Sequence, residues 1–495
     1  MDWGAVAALA AFYGVIFGVA LWASRRHRGT PDQLMLAGRN LPLGLAAFTM
    51  AATWVGGGYI NGTAEAAYAT GPLGIQAPWG YALSLVVGGL FYAPIMRRHG
   101  FTTMLDPLQQ RFGERFGSLL YFPAFVGEVF WSAAILTALG STFGTVFGLD
   151  VATAIIASGL VAIGYTLIGG LWAVAVTDVL QLIVLVVGLT VIVPVVAGPL
   201  GGVAEMWATY AEQLGDEARW TPSLAGWRQD AGFWSWWDAA LLLVFGGIPW
   251  HVYFQRVLAS KDAHTARWLS LAAAPVCLLA AAPAVLIGAV AAVTDWASLG
   301  LAAPEPALAL PWVLRHLGGP VIASVGLAAI AAAVMSSVDS SILSAASMGA
   351  WNLYRPLVRP AASSADLARA VRIGVAIVGS LALLLALRVG SVYGLWFLSS
   401  DLVYCVLFPQ LTLALFDRRA TPTGAKAAFF VAVALRLAAG EASLGIPGLI
   451  PYPADPVTGA IIFPFRTFTM ACGLLTHMTV SRWFSREDPV PLRTA

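Results

Sequence analysis

Two stretches of this chain place oxygen donors where an apolar sequence would not need them. Met335-Ser336-Ser337-Val338-Asp339-Ser340-Ser341 sets four hydroxyls and a carboxylate inside one apolar run. Residues three and four apart on a helix are neighbours, so these hydroxyls gather mostly on one face. Hydroxyls, freed carbonyls and a carboxylate are the hard oxygen ligands of an alkali cation, whereas a transition metal calls for His or Cys. The other stretch is Thr53-Trp54-Val55-Gly56-Gly57-Gly58-Tyr59. Three consecutive glycines weaken a helix by ~1 kcal/mol each relative to Ala. A partner to this break is Gly246-Gly247-Ile248-Pro249-Trp250, where Pro249 removes a backbone donor. Ser336 and Ser337, opposite a broken helix, read as ion donors, while Ser340 and Ser341 read as bonding back to their own helix. Asp178, Asp401 and Glu128 are further acids inside apolar segments, where charge is costly and marks function.

The aromatic residues divide in two. Of the 19 tryptophans, Trp172, Trp207, Trp220, Trp296, Trp312 and Trp483 lie at segment ends or in loops, as interfacial belt residues do. Trp54 and Trp250 stand at the two breaks, Trp131 is mid-segment, and Tyr81 follows Ala77-Pro78-Trp79. Aromatic faces that converge make a cage for a cation with no strong hydrogen-bond donors, and quaternary ammonium recognition is its usual use. Composition alone does not say which rings converge.

The elements that must position these groups are membrane spans. The chain has 495 residues, 59% apolar and 11% charged, against about 45–50% and about 25% in soluble domains. That excludes a cytosolic enzyme and a disordered chain. The net charge of +2 offers no basic field for nucleic acid, and Cys277, Cys405 and Cys472 sit singly in apolar runs, with neither disulfide nor zinc spacing. Only Lys261 and Lys426 are lysine among 27 basic residues, a bias expected of a GC-rich bacterial genome. Apolar segments fall near 3–24, 44–70, 76–96, 118–147, 151–172, 177–198, 234–255, 268–293, 317–353, 371–388, 391–416, 425–440 and 464–484. Thirteen spans of ~20 residues leave room for a single transmembrane domain over 1–490 and a short tail at 485–495. Arg97, Arg98, Arg256, Lys261, Arg355, Arg359, Arg418 and Arg419 fall in alternate loops. The positive-inside rule then gives an N-out, C-in chain. The two breaks lie five spans apart, in opposite orientations, and such a pair points to a transporter's central site.

Several motifs carry a resemblance. Phe48 to Ala66 (FTMAATWVGGGYINGTAEA), Thr103 to Pro107 (TMLDP), Gly246 to Leu258 (GGIPWHVYFQRVL), Ala332 to Ser344 (AAVMSSVDSSILS) and Gly394 to Tyr404 (GLWFLSSDLVY) closely resemble the sodium-dependent high-affinity choline transporters of the sodium/solute symporter family. The likeness runs from the first span to about residue 480. It implies an all-α LeuT-like core of two inverted five-helix repeats, 44–198 and 234–416. The peripheral spans are then 3–24 and the pair in 425–484. It implies a choline headgroup held by Trp54, Tyr81, Trp131 and Trp250. It implies a sodium ion held by Ala52, Val55, Ala333, Ser336 and Ser337, and a second at Asp178, Asp339 and Ser340. Chloride linkage is implied without residues to place it. The expected protein is a sodium-coupled importer of choline in the cell's inner (plasma) membrane, multi-pass, with no oligomer predicted. The alternative substrates on the same fold are betaine, carnitine and proline. One departure stands beside Trp250, where His251 replaces the Gln of the family.

Overall fold

The computed structural model describes residues 3–26, 30–147, 150–168, 170–224, 232–388, 392–441, 445–455, 461–485 and 487–493. Among them no strand forms, and the only β pairing is three isolated bridges. Helix is what lipid demands of a spanning chain, because every backbone group must be satisfied within its own segment.

The main helices are α1 (Trp3–Arg26), α2 (Leu43–Trp54), α3 (Gly57–Gly74), α4 (Ala77–Val87), α5 (Tyr121–Phe147), α6 (Val151–Ile168), α7 (Leu171–Ala197) and α8 (Val203–Leu214). They continue with α9 (Gly232–Gly246), α10 (His251–Ala259), α11 (Ala263–Val293), α12 (Gly319–Met348), α13 (Ser364–Ala386), α14 (Val392–Leu402), α15 (Pro422–Ala438) and α16 (Phe465–Thr479). A π turn at Gly88–Tyr92 carries α4 into Ala93–Arg98, and another at Val403–Leu407 carries α14 into Phe408–Phe416. Every apolar segment read from the sequence coincides with one of these helices or with a pair of them. Among the described residues, eight helices are long and apolar enough to cross a membrane, or nine spans if α2 with α3, bent by 51°, counts as one. α13 begins at Ser364 rather than near 371, and α7 begins at Leu171 rather than near 177, which places Asp178 two turns inside the helix.

Both expected breaks are present, each with its own cause. Val55 turns out of the helix (φ −84°, ψ 63°) and Gly56 is extended (φ −89°, ψ −179°). No positive φ requires glycine at 56. The requirement is space, because a Cβ there would overlap the Ser337 hydroxyl. At the other break the Trp250 backbone is extended (φ −110°, ψ 131°) and caps α10. Pro249 ends α9, since it has no N–H to continue the ladder.

α12 is the central post. It packs on α5 and α7, and α10 crosses it. α11 lies along α2 and α3, while α14 lies along α5 and α3. α15 and α16 pack mainly on each other. The α11–α3 contact is close enough to exclude a methyl group: a Cβ on Gly288 would stand 2.5 Å from the Ala64 carbonyl oxygen and 2.7 Å from the Ala67 Cβ. Gly288→Ala is expected to destabilise the fold by about 1–3 kcal/mol, the range for overpacking a tight contact. Thermal unfolding in detergent measures it as a lowered midpoint.

Candidate functional site

The break between α2 and α3 frees backbone carbonyls, and α12 supplies the groups that meet them. Ser336 Oγ donates to the carbonyls of Ala52 (3.0 Å) and Ala333 (2.9 Å). Ser337 Oγ donates to the Thr53 carbonyl (2.9 Å). Two hydroxyls and three carbonyls from two elements therefore converge in a fully buried place. Val55 stands at the break itself, its N–H bonded to the Ala51 carbonyl (2.9 Å). The five residues expected from the sequence are together, and Thr53 joins them.

Deeper on the same face of α12 lies a charged cluster. Thr49 Oγ1 donates to Asp178 Oδ2 in a short bond, and Thr53 Oγ1 donates to the Thr49 carbonyl (2.7 Å). Ser340 Oγ lies 3.5 Å from Thr53 Oγ1 and donates to the Ser336 carbonyl (2.8 Å). The structure thus brings Asp178 and Ser340 to one place, with Asp339 beside Ser340 (3.3 Å). One oxygen of each carboxylate, Asp178 Oδ1 and Asp339 Oδ2, has no hydrogen-bond partner.

The main correction is Arg256. Its charge was counted toward the loop that orients the chain, yet its side chain is 0% exposed. Its Nη2 donates to Ser340 Oγ (2.5 Å) and lies 3.6 Å from Asp178 Oδ2. A single buried base thus stands beside two carboxyl groups. Arginine at the end of an apolar run gave no sign of burial, because both a loop and a packed interior follow such a run. Ser341 also departs from expectation. Its hydroxyl bonds across to Glu128 Oε2 (2.7 Å) rather than back along α12.

The aromatic residues do converge. Trp54 ends α2, Tyr81 lies in α4, Trp131 in α5, and Trp250 in the break before α10. Trp54 stacks on Tyr81 with ring centroids 5.1 Å apart, and lies 5.8 Å from Trp131 and 6.5 Å from Trp250. Trp131 and Trp250 meet edge to face at 5.3 Å. The rings are thus in mutual contact. Trp396 of α14 was missed: it stacks on Tyr81 at 5.2 Å and meets Tyr59 at 5.5 Å. Its signal was present in the Gly394–Tyr404 motif, five residues before Asp401. Tyr81 is fixed through its hydroxyl on Ser400 Oγ (2.5 Å), and Trp250 Nε1 donates to the Gly246 carbonyl (2.7 Å). Trp54 Nε1 is buried and has no partner. His251 does not leave both ring nitrogens toward the cage: Nδ1 accepts from the Met104 N–H (3.3 Å).

Residues 34–431 match the Sodium:solute symporter family. The chain belongs to that family. It is 47% identical to the high-affinity choline transporter 1 of Drosophila melanogaster, over 97% of this chain and 78% of the fly protein. It is 44% identical to the human high affinity choline transporter 1, over 96% of this chain and 84% of that one. Its fold is that of a Na+-coupled sialic acid symporter in a substrate-bound outward-open state, with a TM-score of 0.79 at 19% identity, covering 97% of this chain and 98% of the other. It is a multi-pass membrane transporter, not an enzyme.

Arg256 makes a test of the charged cluster. Arg256→Ala leaves Asp178 and Asp339 buried without a base and is expected to cost about 3–5 kcal/mol of stability. Adding Asp178→Asn should recover part of that loss. Thermal unfolding of the single and double variants checks both.

Proposed function

We propose that this protein imports choline in symport with sodium by alternating access. The observation that carries the reading is the contact of Trp54, Tyr81, Trp131 and Trp250, drawn from four separate elements, directly beside the junction of Ser336 and Ser337 with the broken helix. A quaternary ammonium has no N–H to give, so it is recognised by ring faces, each worth about 0.5–2 kcal/mol once desolvated. Four such faces suffice for a micromolar site, which needs about 8 kcal/mol. Choline also carries a hydroxyl. Trp54 Nε1, a buried donor without a partner, is the group we assign to it.

Sodium is cargo as well as ligand. At Ser336, Ser337 and the carbonyls of Ala52, Val55 and Ala333 it would tie α2 and α3 to α12, and so set the position of Trp54 at the end of α2. Binding sodium thereby prepares the cage, and losing it to the cytoplasm loosens the cage. Asp178, Asp339 and Ser340 form a second cation site in this reading, with Arg256 competing for its oxygens. The chain crosses the membrane thirteen times, N-out and C-in, with 44–198 and 234–416 as inverted repeats, each opened by a broken helix. One elementary charge crossing 100 mV is worth about 2.3 kcal/mol. Choline gains one such increment and each sodium another, together with its concentration difference.

Purified protein in liposomes is expected to accumulate labelled choline only under an inward sodium gradient, and equal uptake with potassium would sink the reading. Betaine, carnitine and proline should compete poorly, since neither Arg nor Lys lines the cage to receive a carboxylate. Trp54→Phe keeps a ring face and removes the donor. It should reduce the preference for choline over tetramethylammonium about fivefold, the worth of roughly 1 kcal/mol. Gly56→Ala pushes into Ser337 and should raise the sodium concentration for half-maximal uptake about fivefold or more, from about 1–3 kcal/mol of overpacking.

A further inference from the structure

Glu128 is a buried acid that no part of the proposed path uses. It lies on α5 and is 1% exposed. Ser344 Oγ donates to its Oε1 (2.6 Å) and Ser341 Oγ to its Oε2 (2.7 Å), while Ser132 Oγ in turn supports Ser341 (2.9 Å). The backbone N–H of Val252, in the first turn of α10, also interacts with the carboxylate. A carboxylate at the start of a helix faces the positive end of the backbone dipoles. Glu128 thus joins three elements, α5, α10 and α12, at one point.

That point adjoins the cage. Trp131 follows Glu128 by three residues on α5, and residues three apart share a helix face. Val252 follows Trp250 by two residues. Gly127, next to Glu128, comes so near Trp250 that a Cβ there would stand 3.5 Å from its indole. Glu128 is therefore carried on the side of α5 that bears Trp131, and its carboxylate meets the turn that follows Trp250.

The charges of this region do not cancel. Asp238 and Asp401 are matched elsewhere by Arg436 and Arg466. Among the described residues packed around the serine face of α12, the buried charged side chains are Glu128, Asp178, Asp339 and Arg256, and Arg256 is committed to Asp178 and Ser340. Three buried acids thus stand around one base. In the proposed reading one sodium is received at Ser336 and Ser337, a second at Asp178, Asp339 and Ser340, and choline among the rings. Glu128 is the acid that neither sodium site uses.

We propose that Glu128 is the counter-charge of the caged cation, a positioning residue that acts across the Trp131–Trp250 edge without touching the substrate. The inference rests on the choline reading. Rings alone hold a quaternary ammonium by their quadrupoles. A fixed negative charge behind them adds a long-range attraction that a low-dielectric interior screens poorly, and it acts on a cation while leaving a neutral molecule of the same shape alone.

The experiment compares equilibrium binding of choline with that of its neutral carbon isostere, dimethylbutanol with carbon in place of nitrogen. It uses the purified full chain at saturating sodium. Glu128→Gln should weaken choline about tenfold and leave the isostere unchanged. Glu128→Met, which removes the charge without adding a polar group to mispair, should do the same, while Glu128→Asp should keep the preference for the cation. Loss of both ligands together would make Glu128 a purely structural strut and overturn the proposal, as would an unchanged ratio in the neutral variants. A wild-type protein that binds no choline would overturn the transport reading, and this assignment with it.

Discussion

Backbone carbonyls freed inside a membrane have to be satisfied, and the rest of this molecule follows from how that is done at one break. α2 stops at Trp54 because Val55 and Gly56 leave the helix. Water is not at hand in the hydrocarbon region, so partners must come from the protein. Ser336 and Ser337 provide them from α12. A helix end held by two hydroxyls rather than by its own ladder is also a helix end that a cation can hold. In the proposed reading, structural need and ion coordination are met by the same atoms.

The position of Trp54 depends on that junction. It is the last helical residue before the break, and the other rings are arranged around it. Each ring is set by a separate device: Tyr81 by Ser400, Trp250 by its bond to Gly246, Trp131 by its place on α5. Only Trp54 is steered by the serine junction. Its unbonded indole nitrogen and its link to the ion donors make it the residue through which sodium would be felt at the substrate.

The few charges retained in the interior are not spread evenly. One group, Asp238, Asp401, Arg436 and Arg466, is mutually paired and binds α15 and α16 to the core. The other, Glu128, Asp178, Asp339 and Arg256, is short of positive charge and lies along the ion path. Desolvated carboxylates without a full set of bases are costly unless cations arrive. A transporter of cations is a protein in which that cost has a use.

The apolar segments and both helix breaks were legible in the sequence, because hydropathy and the chemistry of Gly and Pro act locally. The serine face was legible for the same reason: helical spacing alone puts Ser336 beside Ser340, and Ser337 beside Ser340 and Ser341. Arg256 was not legible, since an arginine ending an apolar run looks the same whether the chain exits to water or packs against Asp178. Nor was Trp396, one ring among 19 tryptophans, whose stacking on Tyr81 joins residues more than three hundred positions apart. Nor was the bond from Ser341 to Glu128, which competes with a back-bond inside its own helix. The sequence by itself determined which helices form, where they break and which oxygens lie on one face, all matters of short-range geometry. Only the tertiary structure decided which rings meet and which charges are left unmatched, because these depend on how separate helices pack.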